Sequence, residues 1–361
     1  MKKDKRIRHI VIAALLLLGV FWSAAAAFND NPKPDYPNDR FLATAQWLQS
    51  HKEDIGVVVV DVREDKHFDD KLIPGAVRMP WGQFRYNDVA VNMGGLFVGI
   101  ERSQQILGAH GIARNDTVVL YDSVARDGGA TSSYIFWVLD LLGHRNIKVL
   151  ERGIDSWIEV GGETVSAARK PEPVLYQAPA DEIEMRKWVK ADFIMPRLGD
   201  PYYQILDVRS REEYLGEKPD VGLDGTILKL GHIPTAYNIN YVLNWTGTDT
   251  KKMKSYQDLQ QLYKGLDPNR AVVPYCHSAR RGAFGYFVLR LMGFADVLLY
   301  EPSWMEWGSQ RYYYPIETAE NILKGSPPTE TTRESGYRQT ELETDVKSGS
   351  KNKSGYISCG G

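Results

Sequence analysis

Six short apolar runs set the frame of the chain. Val57 to Asp61 is continuous and β-branched, the pattern of a strand covered on both faces. Thr117 to Tyr121, Lys148 to Leu150, Gln204 to Leu206, Ala271 to Val273 and Val297 to Tyr300 read as further strands. Between them lie helical patterns. Phe41 to Leu48 predicts a short helix, and Ser133 to Leu142 one that stops at Gly143. Phe284, Phe287, Val288, Leu291 and Met292 recur at helical spacing until Gly293. Strands alternating with helices predict an α/β fold with a mainly parallel sheet flanked by helices and right-handed crossovers.

The order of elements occurs twice. Asp61-Val62-Arg63 follows a strand in the first half, and Asp207-Val208-Arg209 does so in the second. Ile73-Pro74-Gly75-Ala76 answers to Gly231-His232-Ile233-Pro234-Thr235-Ala236, and the segment around Trp157 to the one around Trp304. Repetition at domain length predicts two copies of one domain, over residues 36–165 and 181–316. Pro171, Pro173 and Pro179 mark residues 166–180 as a linker. Residues 317–361 are polar and read as a flexible tail.

Composition narrows the function classes. The 361 residues carry a formal net charge of −2, which offers nothing to a nucleic acid. Residues 1–27 begin with Lys2, Lys3, Lys5, Arg6 and Arg8, continue apolar from Ile10 to Trp22, and end in Ala24 to Ala27. That is the form of an export signal cleaved after Ala27, so a periplasmic or secreted protein is expected. The apolar stretch is shorter than the ~20 residues of a spanning helix; an uncleaved N-terminal anchor is the alternative. Cys276 and Cys359 are the two cysteines, too few for a disulfide scaffold. A monomer is expected.

The chemistry concentrates in Tyr275-Cys276-His277-Ser278-Ala279-Arg280-Arg281-Gly282-Ala283. The pattern is strand, tight loop, helix. Such a loop turns backbone N–H groups inward, and the helix behind it adds a positive dipole end. A thiolate at Cys276 is favoured there and is a nucleophile at neutral pH. The competing reading is a buried small hydrophobe beside a solvated basic pair. No cluster at metal-ligand spacing and no glycine-rich phosphate motif is visible, and no cofactor is expected.

On these residues the chain resembles the tandem-domain rhodaneses, the thiosulfate and 3-mercaptopyruvate sulfurtransferases, over about residues 40–165 and 181–315. The resemblance rests on the paired Asp-Val-Arg motifs, the Ile-Pro motifs, the Trp motifs and the cysteine loop together. It implies two tandem rhodanese-like domains, an inactive first and a catalytic second, with a cleft between them. It implies sulfur transfer from a small anionic donor through a persulfide on Cys276 to a thiol, cyanide or protein acceptor. His277, Ser278, Ala279, Arg280, Arg281 and Gly282 would then bind the substrate, Arg281 with the strongest claim by its place in the motif.

Several residues carry two readings. Aligning Tyr121 on Tyr275 puts Asp122 where the second copy has Cys276, so the first copy lacks a sulfur nucleophile. Asp122 either faces the cleft or caps the following turn. Asp61 and Asp207 are expected to tie strand ends to neighbouring loops, while Arg209 is either structural or shares in binding the anion. An arginine that members of the family carry after this strand is replaced by Glu212 or Glu213, which opens the question of donor. His277 either supports the thiolate or is a solvent-facing spectator, and Arg280 faces the substrate or solvent. His232 is expected to fix its loop, and the tryptophans to pack.

The rival chemistry is a phosphatase or arsenate-type reductase on the same fold. Those related enzymes separate cysteine and arginine by five residues; here four separate Cys276 from Arg281, and Gly282 stands where that arginine would be. A non-enzymatic sulfur-carrier or interaction protein is the third class. Ala279 stands where many members carry glycine, so the loop either avoids positive φ or accepts strain. Pro274 removes one N–H from the strand end. Cys359, between Ser358 and Gly360, is either a second sulfur-accepting thiol or incidental.

Overall fold

The structure is a computed structural model that describes residues 35–319. The export signal and Cys359 lie outside the described residues, as does the tail beyond Ala319. In the first copy the strands are β1 (Leu42–Ala43), β2 (Val57–Asp61), β3 (Val77–Arg78), β4 (Arg85–Asp88), β5 (Met93–Phe97), β6 (Thr117–Tyr121) and β7 (Ile147–Leu150). Its helices are α1 (Ala45–His51), α2 (Ile100–Ala109), α3 (Ala130–Leu141) and α4 (Gly153–Glu159). The second copy holds β8 (Trp188–Val189), β9 (Tyr203–Asp207), β10 (Tyr237–Asn238), β11 (Ala271–Tyr275) and β12 (Leu299–Tyr300). Its helices are α5 (Ala191–Ile194), α6 (Arg211–Leu215), α7 (Tyr256–Leu262), α8 (Arg280–Leu291) and α9 (Ser303–Trp307).

The first sheet runs β1-β7-β6-β2-β3, all parallel, with β4 and β5 as a separate antiparallel hairpin. In the second copy β10-β9-β11 form one parallel sheet and β12-β8 a parallel pair. A bridge from Val272 to Val297 links the two groups, so the same strand order is present but interrupted. Pro274 supplies the reason. Val272 N donates to Asp296 O on the β12 side, and the next donor on that side of the strand, two residues on, is Pro274, which has no N–H. The strand nevertheless continues through Pro274 to Tyr275.

One expected boundary is wrong. The segment predicted as a helix over Phe41 to Leu48 begins as the edge strand β1, and the helix starts only at Ala45. Thr44 sets that start, its hydroxyl accepting from Trp47 N at 3.1 Å. Tyr176 and Ala178 of the proline-rich join are buried, and Val174 N donates to Gly108 O, so this segment is fastened to the first copy.

One hydrophobic cluster runs through both copies. Every residue of α3 is buried, and so is α8 apart from Arg290. α3 is largely apolar all round and belongs inside, while the three arginines of α8 are each held by a carboxylate. The two helices pack on each other, with Phe136 and Phe287 edge to face at 5.0 Å. Asp140 on α3 accepts from Tyr286 of α8 and pairs with Arg290 and Lys187. Burying α3 and α8 against each other brings the loops that precede them into contact.

Candidate active site

Register places the two loops at equivalent points. Asp61 pairs with Tyr121 in the first copy and Asp207 with Tyr275 in the second, so Asp122 and Cys276 each follow the central strand. Tyr275 Oη donates to Asp207 Oδ2 at 2.7 Å and accepts from Ile233 N at 3.2 Å, which fixes the strand end.

Cys276 is fully buried. Its backbone is clamped from both sides. Cys276 N and Ala279 N donate to Ser303 Oγ at 3.1 and 3.3 Å, while Ser303 Oγ donates to Tyr300 O. Trp304 N donates back to Cys276 O at 2.9 Å. Ala279 has φ of +69°, so the loop takes the positive-φ turn and carries the strain of a side chain there. Only residues 277–279 separate the cysteine from the first turn of α8. The buried helix end and its N–H groups therefore sit directly behind the thiol.

The loop cations are internal. Arg281 makes a bidentate pair with Glu213, 2.8 Å for each nitrogen, and neither side chain is more than 6% exposed. Glu213 also accepts from Ser210 N as part of the capping box that starts α6. Arg281 and Arg209 hold the Glu213 carboxyl below the usual carboxylate range against the opposing effect of burial. Of the two glutamates, Glu212 and Glu213, considered for the place of the family's arginine, Glu213 is thus Arg281's partner. Arg281 in turn lies close enough to Cys276 for a negative charge on the sulfur to stabilise the guanidinium. Arg280 is not at the surface. It is 1% exposed and pairs with Asp127 from the loop of the first copy.

His277 is buried, with Nε2 against Val221 O at 3.0 Å and Nδ1 3.9 Å from Asp220, so the solvent-facing reading does not describe it. Ser278 is buried and its carbonyl accepts from Arg85 at 2.7 Å. Gly282 lies on α8 with no room to spare, an added Cβ meeting Leu299 at 3.2 Å and Tyr275 Cα at 3.4 Å. Arg209 is engaged by partners outside the loop. Its guanidinium forks onto Asp207 and reaches Asp220 and Gly231 O, and it stacks on Trp304 at 4.3 Å. That geometry favours the structural reading over anion binding. His232 Nδ1 donates to Tyr214 O at 2.7 Å and the ring stacks on that of Tyr214; burial lowers its proton affinity.

The chain matches the model of the rhodanese-like domain twice, over residues 44–160 and 191–310. It belongs to the tandem-domain rhodanese sulfurtransferases. This rhodanese is 33% identical to the putative thiosulfate sulfurtransferase SseA of Mycobacterium tuberculosis, over 76% of this chain and 90% of that one. It is 31% identical to the sulfur carrier protein TtuD of Thermus thermophilus, over 76% and 95%. Identity to the thiosulfate sulfurtransferase of Corynebacterium glutamicum is 30%, over 82% and 97%. Among solved structures, the anaerobic ergothioneine biosynthesis enzyme of Chlorobium limicola superposes with a TM-score of 0.66, covering 78% of this chain and 71% of that one at 20% identity. The last likeness concerns the fold alone. The chain is a sulfurtransferase enzyme with two rhodanese domains.

Sequence reasoning missed three residues around the rhodanese loop, all supplied across the boundary between copies or beside it. Arg85, at the start of β4, lies over Trp81 at 4.4 Å and donates to Gly95 O and Ser278 O. Asp127 holds Arg280. Glu301 is buried, pushed up to about 7 by burial, and faces Tyr134 of the first copy at 3.4 Å. None belongs to a motif. Only the expectation that the first copy covers the second's loop could have pointed to them.

Proposed function

We propose that Cys276 carries sulfane sulfur as a persulfide between a small donor and a thiol, cyanide or protein acceptor. The thiolate Sγ attacks the outer sulfur of the donor. The donor's S–S bond breaks and its electron pair leaves with sulfite when the donor is thiosulfate. With a 3-mercaptopyruvate-like donor the thiolate attacks its only sulfur and the C–S bond breaks instead, the bonding pair leaving on carbon as the enolate of pyruvate, which takes up a proton. The Cys276 persulfide then passes its outer sulfur to an acceptor thiolate, and the Cys276 thiolate is regenerated. No electrons enter or leave the cycle.

One observation carries this reading: the one thiol among the described residues, wholly buried, set at the positive end of α8 in a three-residue loop beside Arg281. Preformed N–H groups and the helix end stabilise an anionic sulfur without a general base. The relative named as a sulfur carrier supports a protein acceptor, and the relatives named as thiosulfate sulfurtransferases support thiosulfate among the donors. Residues 1–27 support export, which would make the acceptor extracytoplasmic, and the monomer is part of the same proposal.

The test is intact-protein mass after incubation with thiosulfate, 3-mercaptopyruvate and an organic hydropersulfide, on the wild type and on Cys276→Ser. The expected result is one added sulfur atom on the wild type, removed by a thiol and absent from the variant. No added sulfur from any of the three donors would overturn it.

A further inference from the structure

The two cations of the Cys276 loop are both neutralised, and one of the neutralising carboxylates comes from the degenerate copy. Arg281 is matched by Glu213 and Arg280 by Asp127; the four side chains are at most 6% exposed. Asp127 is built for the task. Its carboxylate also accepts from Thr131 Oγ1 at 2.6 Å, which orients it, and Arg280 and Arg126 hold it well below the usual carboxylate range despite burial. Arg126 approaches Asp127 at 3.8 Å, but it is one-fifth exposed and open to screening by salt. The hydroxyl of the buried Tyr241 also lies within the field of Arg280, Arg281, Asp127 and Arg126. The loop's own guanidinium groups therefore present no net charge to an arriving donor.

Charge counting then separates donors. Thiosulfate brings two negative charges to a thiolate that already carries one. All three must be held in a buried site whose two loop arginines are already paired, which leaves Arg85 at the Ser278 carbonyl, Arg126 and Lys251 around Asp127, the N–H groups and the helix end as stabilisers that the loop pairs do not cancel. A hydropersulfide brings at most one as R–S–S⁻, and none in the protonated form R–S–SH that accepts nucleophilic attack at its outer sulfur. Cys276 thiolate attacks its outer sulfur, the S–S bond breaks, R–S⁻ leaves with the bonding pair, and the proton stays on the transferred sulfur. One negative charge enters that step and one leaves.

We propose that Asp127, in the copy that lost its nucleophile, is a specificity-determining residue that neutralises Arg280 and sets the site for sulfur donors of low charge, organic hydropersulfides rather than thiosulfate. The proposal rests on the persulfide reading above. It assigns the degenerate domain a chemical role in donor choice.

The test compares thiosulfate with the hydropersulfide of 2-mercaptoethanol as donors, by kcat/KM, on the wild type, Asp127→Asn and the double variant Asp127→Asn/Arg280→Gln. Freeing Arg280 is expected to raise kcat/KM for thiosulfate about tenfold, the worth of one charge-assisted contact in a buried site. The hydropersulfide is expected to change less than about threefold, since its reacting, protonated form offers no charge to that contact. The double variant should return thiosulfate to the wild-type level. No gain in Asp127→Asn, or a gain that survives loss of Arg280, would overturn the assignment.

A measurement on the wild type alone stands if Asp127→Asn fails to fold. Thiosulfate turnover should change less than about twofold between about 0.05 and about 0.5 M salt, because a neutral loop has little attraction to screen. A steep fall with salt would overturn the proposal. Absence of any Cys276-dependent mass gain would instead remove the persulfide reading, so the two failures are distinguishable.

Discussion

The loops that follow β6 and β11 start from the same scaffold and fill it differently. After β6, Asp122 turns its own carboxylate into the N–H groups of the next helix: Oδ2 accepts from Thr131 N and Ser132 N, both at 3.1 Å. The cap reading, not the cleft-facing one, describes it. The position that would hold an anion is occupied by a built-in one. After β11, Cys276 stands at that point and brings no fixed charge. The α9 segment differs in step. Gly153 and Ser303 both have positive φ, at +56° and +55°. A Cβ at Gly153 would meet Asp122 O at 2.1 Å, whereas Ser303 inserts a hydroxyl that accepts from Cys276 N and Ala279 N. The comparison teaches that what sits at one strand end decides whether the N–H groups beyond it are filled from within. A carboxyl group there fills the N–H groups of the next helix from within, and a cysteine leaves them open to the anionic sulfur of the thiolate and of the proposed persulfide.

Exchanging the two strand-end residues is the most severe test of that view. Cys276→Asp should lower sulfur transfer by at least about 10³-fold, the scale of losing a covalent nucleophile. Asp122→Cys in a Cys276→Ser background should gain no persulfide by mass, because residues 123–129 form a longer loop carrying Asp127 instead of the short one. A persulfide on the introduced cysteine would break the comparison. Next in size is the partner of Arg281. Glu213→Gln leaves a buried guanidinium with one neutral acceptor and should cost ~3 kcal/mol in urea-induced unfolding. Restoring the wild-type midpoint with Arg281→Gln in the same chain would show that the cost is the orphaned charge.

The closed anion site of the first copy also has a pH signature. Burial and the nearby Asp127 push Asp122 up to about 7, although the N–H donors of Ser132 and Gly129 act the other way. Its Oδ1 finds no partner among the described residues. A carboxyl whose folded value lies above its unfolded value binds more protons when folded. Its contribution to stability is therefore present below the unfolded value of 3.8 and is lost as pH rises toward about 7. Between pH ~5 and ~8 the loss should be on the order of 2 kcal/mol. Asp122→Asn keeps an oxygen acceptor for the Thr131 and Ser132 amides and should flatten that slope. Glu301, also pushed up to about 7, stays in both proteins, so the difference between their urea midpoints isolates Asp122. An unchanged slope in Asp122→Asn would show that the carboxylate is better stabilised than its burial implies.

What was legible in the chain was whatever repeats. The central strands, the Asp-Val-Arg forks and the cysteine loop stand in register between the halves, and each follows from local pattern: a β-branched run, an Asp two residues before an Arg, a strand-loop-helix turn. The tandem rhodanese fold followed from them. The partners of the loop were not legible. Arg280 and His277 carry the chemistry of exposed or substrate-facing residues, yet both are buried: Arg280 meets Asp127 of the first copy's loop where α3 packs on α8, and His277 lies against Asp220 and Val221 of its own copy. Nothing local to Arg280 announces Asp127, which is 153 positions away. Glu213 was noticed as a departure, but its role needed Arg281 to be seen across the fold. The start of α1 was missed for a smaller reason: Phe41 and Leu42 satisfy a helical period, while the Thr44 cap decides where helix begins.

The mildest exchange concerns the residue just before each helix, Gly129 before α3 and Ala279 before α8, both with positive φ at +119° and +69°. Glycine meets that requirement freely; alanine does so with strain of about 1–2 kcal/mol from Cβ against the backbone. Ala279→Gly should therefore stabilise the second copy, but part of the gain is cancelled because glycine frees the unfolded chain by ~0.4–1 kcal/mol. A net gain of about 0.5–1 kcal/mol by urea unfolding is expected. Gly129→Ala is the reverse experiment. Its added Cβ has room, with Val149 Cγ1 at 3.6 Å, so a loss there would come from the backbone and not from a clash. If Ala279→Gly gains stability while sulfur transfer slows, the strained turn is holding the loop N–H groups on the sulfur, and alanine is a functional choice. If stability rises and transfer is unchanged, the strain is incidental, and the two loops differ in function only through Asp122 and Cys276.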